Sequence, residues 1–157
     1  MSNPDGIPQP RHGLRGYITA RPILGNRVPQ HVQNLVIRDY AQRHGLTFKL
    51  SATEYAMPHC FMILEGVLQE LPGLEGIIAY SLFMLPPRAR ERRALYRRIL
   101  DGGGVLHCAV EGLVLRGEAD IGRFEDIWLV QQAIDRSSAG PAVRDWHRNA
   151  APAGPQL

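Results

Sequence analysis

Apolar and polar positions fall into two kinds of run that alternate along the chain. "RGYITA" (15–20) is short, bounded by Gly and Pro, and reads as a buried strand. "LTFKLSAT" (46–53) alternates apolar and polar residues and predicts a second strand. "GIIAYSLFML" (76–85) is almost continuously apolar, as a central strand covered on both faces is. "VLHCAVEGL" (105–113) predicts a fourth.

The intervening runs have helical spacing. From Val28 to Arg43 the apolar residues Val28, Val32, Leu35, Val36 and Tyr40 repeat at i, i+4, i+7, i+8 and i+12. Gln33 and Asn34 lie off that stripe. Pro29 fits only a first turn and Gly45 ends the helix. Pro58 opens a second helix, Cys60 to Leu71. A third follows Pro86 and Pro87 and runs to Leu100. The last spans "EADIGRFEDIWLVQQAID", with Ile121, Phe124, Ile127, Trp128 and Ile134 as packing residues.

Strands alternating with helices imply right-handed βαβ units and a parallel sheet. The expected architecture is a three-layer α/β sandwich, flavodoxin-like, with four strands in the order 2-1-3-4. Residues 1–14 are rich in Pro, Gly and polar side chains and predict a flexible leader; residues 137–157 predict a loosely ordered tail; residues 15–136 form one domain. No apolar run is long enough to cross a membrane, and the first residues do not read as a secretion signal. Cys60 and Cys108 make no disulfide framework, which predicts a cytoplasmic protein with reduced thiols.

Charge adds one feature. The net charge is only +3, but "RARERRALYRR" holds six arginines against one glutamate. A solvated helix face is the ordinary explanation, and nucleic acid is disfavoured as a partner. No metal-ligand spacing, no GxGxxG after a strand and no phosphate-loop lysine is present, so neither metal nor nucleotide cofactor is expected.

In such sheets ligands bind at the carboxyl ends of the strands, where the strand order reverses. Here that point lies between the first and third strands. The first turn offers Thr19, Arg21, Pro22, Gly25, Asn26 and Arg27; the second Ser51, Thr53, Glu54 and Tyr55; the third Tyr80 and Ser81; the fourth Glu111 and Gly112. The helix starting near Val28 adds free N–H groups, with Gln30, His31 and Asn34 on its first turns. Arginine forks suit phosphate or carboxylate, which makes Arg21 and Arg27 anion ligands, supported by Thr19, Gln30, Asn34, Ser51, Tyr80 and Ser81. Glu54 and Glu111 are the acid and base candidates, with His31 as alternative base and Tyr55 as donor. His107, inside a strand, reads as structural.

The blocks "GYITARPILGNRVPQHVQNLVIRDY", "LSATEYAMPHC", "GIIAYSLFMLP" and "LHCAVEGL…FEDIWLV" resemble those of the sporadic carbohydrate cluster protein family, small bacterial proteins encoded among genes for unusual sugars. The resemblance runs from Arg15 to Val130 and implies a place in carbohydrate or sugar-containing natural-product biosynthesis. A more distant resemblance links "GYITAR" and the following helix, and the stretch from Gly76 to Leu113, to the catalytic domain of serine recombinases. It implies the fold and not the activity. The nucleophilic serine of the "GYxRxS" motif falls at Arg21, the arginine before it at Thr19, and the "DRL" element at Leu82, Phe83 and Met84. A strand-transfer reaction through a serine ester has no nucleophile here.

Three functions follow as expectations. The first is a cofactor-independent enzyme acting on a sugar phosphate, nucleotide sugar or nucleoside by isomerisation, epimerisation, elimination or glycosidic cleavage. The second is a non-catalytic ligand-binding or subunit-partner protein of the same pathway, a homo-oligomer joined through "SLFML". The third is a degenerate recombinase-like nucleic-acid binder.

Overall fold

All four blocks read as strands pair in one sheet, but the fourth divides in two. The computed structural model describes residues 10–138. Most of the expected leader and nearly all of the expected tail lie outside the described residues. The strands are β1 (Leu14–Thr19), β2 (Phe48–Glu54), β3 (Gly76–Ala79), β4 (Val105–Cys108) and β5 (Leu113–Leu115). The sheet has five strands in the order β2-β1-β3-β4-β5, where four in the order 2-1-3-4 were expected. The first four are parallel and β5 is antiparallel to β4. The extra strand arises because Gly112 takes a left-handed φ of 64° and reverses the chain, so "VLHCAVEGL" is a strand, a turn and the start of a return strand.

The helices are α1 (Gln30–Arg43), α2 (Met62–Gln69), α3 (Ala89–Asp101) and α4 (Ile121–Ser138). β3 is shorter than its apolar run: Leu82–Met84 form a 3-10 turn in place of a strand end. Two compact units divide after Gly122. The first holds the whole sheet and α1 to α3; the second consists, among the described residues, of α4 from Arg123 on. Within α4, Phe124 and Trp128 are buried, but Ile134 is 52% exposed. At roughly 100° per residue Ile134 lies about 80° from Phe124 and about 120° from Trp128, to one side of the buried stripe.

Alternation along β1 sends Leu14 and Ile18 into a cluster with Ile37, Tyr40 and Ala41 of α1 and with Ile78 of β3. Tyr17 points to the other face, where its hydroxyl meets Glu54 beneath the start of α2. α3 lies beside α2, tied by the Arg98–Glu65 ion pair. The result is helix, sheet, helix, with the apolar area buried on both faces of β1 and β3 supplying most of the driving force.

α1 is rotated from its expected face. Its buried residues are Gln33, Ile37, Tyr40 and Ala41, while Leu35 is 61% exposed. The reason is hydrogen bonding. The Gln33 side-chain oxygen accepts from Thr19 N–H at 3.0 Å, and its amide nitrogen donates to the Thr19 and Val28 carbonyls at 2.8 and 2.9 Å. Backbone groups at the end of β1 would otherwise be buried without partners, so an amide occupies the core position an aliphatic residue was expected to take.

The outer strand β2 is irregular where it matters. Arg15 pairs with Lys49 and Gly16 with Ser51, so Leu50 bulges out of register. Arg15 Nη1 donates to the freed Leu50 carbonyl at 2.6 Å. A bulge on an edge strand twists it and discourages pairing with another chain. At Gly76 a Cβ would lie 2.0 Å from the Val105 carbonyl oxygen, so only glycine lets β3 and β4 approach here.

Among the described residues no helix is long and apolar enough to cross a membrane.

Candidate functional site

The stretch after β1 solves a chain-reversal problem before it serves any ligand. Ile23 and Asn26 exchange backbone hydrogen bonds at 2.8 and 3.0 Å. Leu24 and Gly25 between them have φ of 50° and 78°, the two left-handed residues of a tight turn. Gly25 and Asn26 therefore build the turn. The chain then enters α1 through Pro29.

A cavity of about 230 Å³ opens at the carboxyl ends of β1 and β3, lined by Thr19, Arg21, His59, Phe61 and Phe83 among others. Arg21 is its charged wall. The guanidinium Nη1 donates to the Cys60 carbonyl at 3.0 Å and reaches the Met57 carbonyl at 3.5 Å, and the group stacks 4.4 Å above the Phe61 ring. Both bonds use Nη1, so the Nε and Nη2 donors have no partner among the described residues. Thr19 is buried and its hydroxyl accepts the Arg21 N–H, fixing where the arginine leaves the strand. His59 holds a φ of 59°, a conformation of modest cost that histidine tolerates better than most residues.

The two candidate carboxylates are turned inward. Glu54 is fully buried and accepts from the Tyr17 hydroxyl at 2.8 Å, from Leu64 N–H at 3.0 Å, from Tyr55 N–H at 3.1 Å and from Ile63 N–H at 3.2 Å. It supplies acceptors to the first turn of α2, whose own cap position, Phe61, has no side chain able to do so. Burial, and next the Glu54 carboxylate, raise the Tyr17 hydroxyl far above the usual tyrosine range. Glu111 accepts from the Ser81 hydroxyl at 2.6 Å and from Leu82 N–H at 2.9 Å, capping the 3-10 turn after β3.

The remaining expected residues divide. Arg27, Gln30, His31 and Tyr55 are exposed and do not line the cavity, and Asn34 is half-buried on α1. Ser51 is not in the turn after β2; it lies inside the strand opposite Gly16, because β2 continues to Glu54. Tyr80 packs against the α1 side of the core, and its N–H bonds the Tyr17 carbonyl. Of the twelve, only Thr19 and Arg21 line the cavity. His59, Phe61 and Phe83 were not anticipated. The signal for His59 was available: it follows Pro58 as the one ionisable nitrogen side chain in the short, mostly apolar connection between β2 and α2.

The arginine-rich run is less free than its composition suggests. Arg92 is 2% exposed and donates to the Pro86 and Pro87 carbonyls at 3.2 and 2.6 Å. Arg88, Arg97 and Arg98 pair with Glu91, Glu118 and Glu65. "SLFML" is mostly buried: Leu82, Met84 and Leu85 lie in the core, and Phe83 is half-buried on the cavity wall. Among the described residues no group of three or more His, Cys, Asp or Glu is placed to hold a metal ion.

Comparison with solved structures agrees with the fold. A resolvase family site-specific recombinase from Streptococcus pneumoniae superimposes with a TM-score of 0.57 over 86% of this chain and 99% of its own, at 11% identity. The N-terminal catalytic domain of TP901-1 integrase does so with a TM-score of 0.57 over 80% and 99%, at 13% identity. The chain has a resolvase-like α/β fold. No family model and no curated protein matches it.

Proposed function

We propose that this chain is a binding protein for a small anionic metabolite of the sugar-phosphate type, seated above the carboxyl ends of β1 and β3. The observation that carries the reading is Arg21. Its guanidinium is held by carbonyls on one nitrogen and stacked on Phe61, and its other donors are left beside a cavity. A preorganised fork loses little entropy on meeting a phosphate. The sugar-pathway context comes from the resemblance to the sporadic carbohydrate cluster family. Free Cys60 and Cys108 suit a reducing cytoplasm.

A binding role fits better than carboxylate acid–base catalysis because Glu54 and Glu111 already hold the ends of two other segments. The one observation favouring an enzyme is His59, a titratable side chain in a left-handed conformation on the cavity wall. A recombinase-like reaction is disfavoured by Arg21 standing where the resemblance puts the nucleophile.

Titration calorimetry with hexose phosphates and the matching neutral sugars tests the reading. The phosphorylated compounds bind and the neutral ones do not. Arg21→Lys keeps the charge and loses the fork, and weakens binding by roughly tenfold or more. If no phosphorylated sugar binds at millimolar concentration, or Arg21→Lys binds as well as the parent, the reading fails.

A further inference from the structure

A second cavity, of about 250 Å³, lies at the opposite, amino end of the sheet. Thr47, Glu75, His107 and Arg116 line it, with Leu14 and Leu46 as apolar wall. It is smaller than the roughly 300–1,000 Å³ of pockets for drug-sized ligands, so its occupant is small.

His107 sits in the middle of β4 and is 3% exposed. Its Nδ1 lies 2.7 Å from the Tyr40 hydroxyl. That hydroxyl is buried and has no other acceptor among the described residues, so it donates to Nδ1. The imidazole proton then resides on Nε2. Nε2–H has no partner among the described residues, and the ring borders the cavity. Nε2 is not one of the fully buried side-chain nitrogens left without a partner, so it opens to the cavity and is free to donate to an acceptor there.

Two opposite charges stand at the same cavity. Arg116, just after β5, is exposed, and its guanidinium has no partner among the described residues. Glu75 uses Oε2 to accept Gly13 N–H at 2.9 Å and keeps Oε1. No ion pair takes up either charge. A simple anion would meet the Glu75 carboxylate, and a simple cation would meet Arg116. One small ligand carrying both charges satisfies the pair.

We propose that this cavity is a second binding site, for a small zwitterion of the α-amino-acid type. Its carboxylate accepts from His107 Nε2–H and Arg116, and its ammonium donates to Glu75.

The test follows the His107 ring by NMR in the full chain during titration with glycine, alanine or serine, and separately with acetate and methylamine. The amino acids give saturable His107 shifts at concentrations at least roughly tenfold below those needed for acetate or methylamine, as two charge-assisted contacts require. Arg116→Gln and Glu75→Gln, both at exposed positions, each weaken binding by roughly tenfold or more while the rest of the amide spectrum is unchanged. The proposal is overturned if no amino acid moves His107 saturably, which leaves water as the acceptor. It is also overturned if acetate binds as tightly and Glu75→Gln has no effect, which would make this a plain anion site.

Discussion

The Tyr17 hydroxyl donates to the Glu54 carboxylate at 2.8 Å, and Leu64 N–H donates to the same oxygen at 3.0 Å. One buried carboxylate thus joins the central strand to the first turn of α2. Tyr17→Phe should cost about 1–3 kcal/mol, since it removes one donor from a buried charge. Glu54→Ala should cost more, because a hydroxyl and the backbone N–H groups at the start of α2 lose their acceptor together. Urea midpoints with an unchanged slope measure both. Losses under about 0.5 kcal/mol, the size of ordinary surface effects, would mean that Glu54 does not hold this junction.

Gln33→Leu would complete the apolar stripe of α1 and should nonetheless destabilise. It strands the Thr19 N–H and carbonyl, for a loss of about 2 kcal/mol or more. Thermal unfolding of Gln33→Leu beside Leu35→Gln makes the contrast. The exposed Leu35 should tolerate the change nearly without effect.

Acid should weaken the fold through His107. Burial first, and then the nearby charges of Arg116 and His44, push its imidazole down to about 4. The unfolded chain takes up this proton near pH 6.5 and the folded chain does not until near 4. Between those values the unfolded state binds more protons, so stability falls as pH falls. The loss is on the order of 2 kcal/mol, discounted because the ring borders a cavity. His107→Gln should flatten this part of the stability–pH curve. An unchanged slope would place the responsible group elsewhere.

The two cysteines should differ in reactivity. Cys108 is fully buried, and burial pushes its thiol well above the ordinary range, so little thiolate is available to react. Cys60 is half-buried. A maleimide pulse on the native protein should label Cys60 alone, and Cys108 only as the chain unfolds. Native labelling of Cys108 at a comparable rate would contradict its placement in the core.

Much of the fold was legible because its signals are local. Pro29 marked the start of α1, Pro86 and Pro87 the stop before α3, and the parallel strands announced themselves by short apolar runs or, in β2, by alternation. β5 was hidden because Gly112 turns the chain inside what reads as one apolar block. Strand order pointed to the carboxyl ends of β1 and β3, where Thr19 and Arg21 line a cavity. That Glu54 and Glu111 accept backbone N–H groups of neighbouring segments was not legible, because a carboxylate at a strand end looks alike in sequence whether it faces solvent or caps such a segment.

The sequence by itself determined which segments become strands and helices, and hence a parallel α/β sheet, because period and breaker residues act over a few neighbours. Only the tertiary structure decided where each polar side chain would point. Glu54, Gln33 and Arg92 are buried for the sake of backbone groups 5 to 14 residues away along the chain. Burial leaves those groups without water, and they must be paired by whichever side chain the fold brings within about 3 Å.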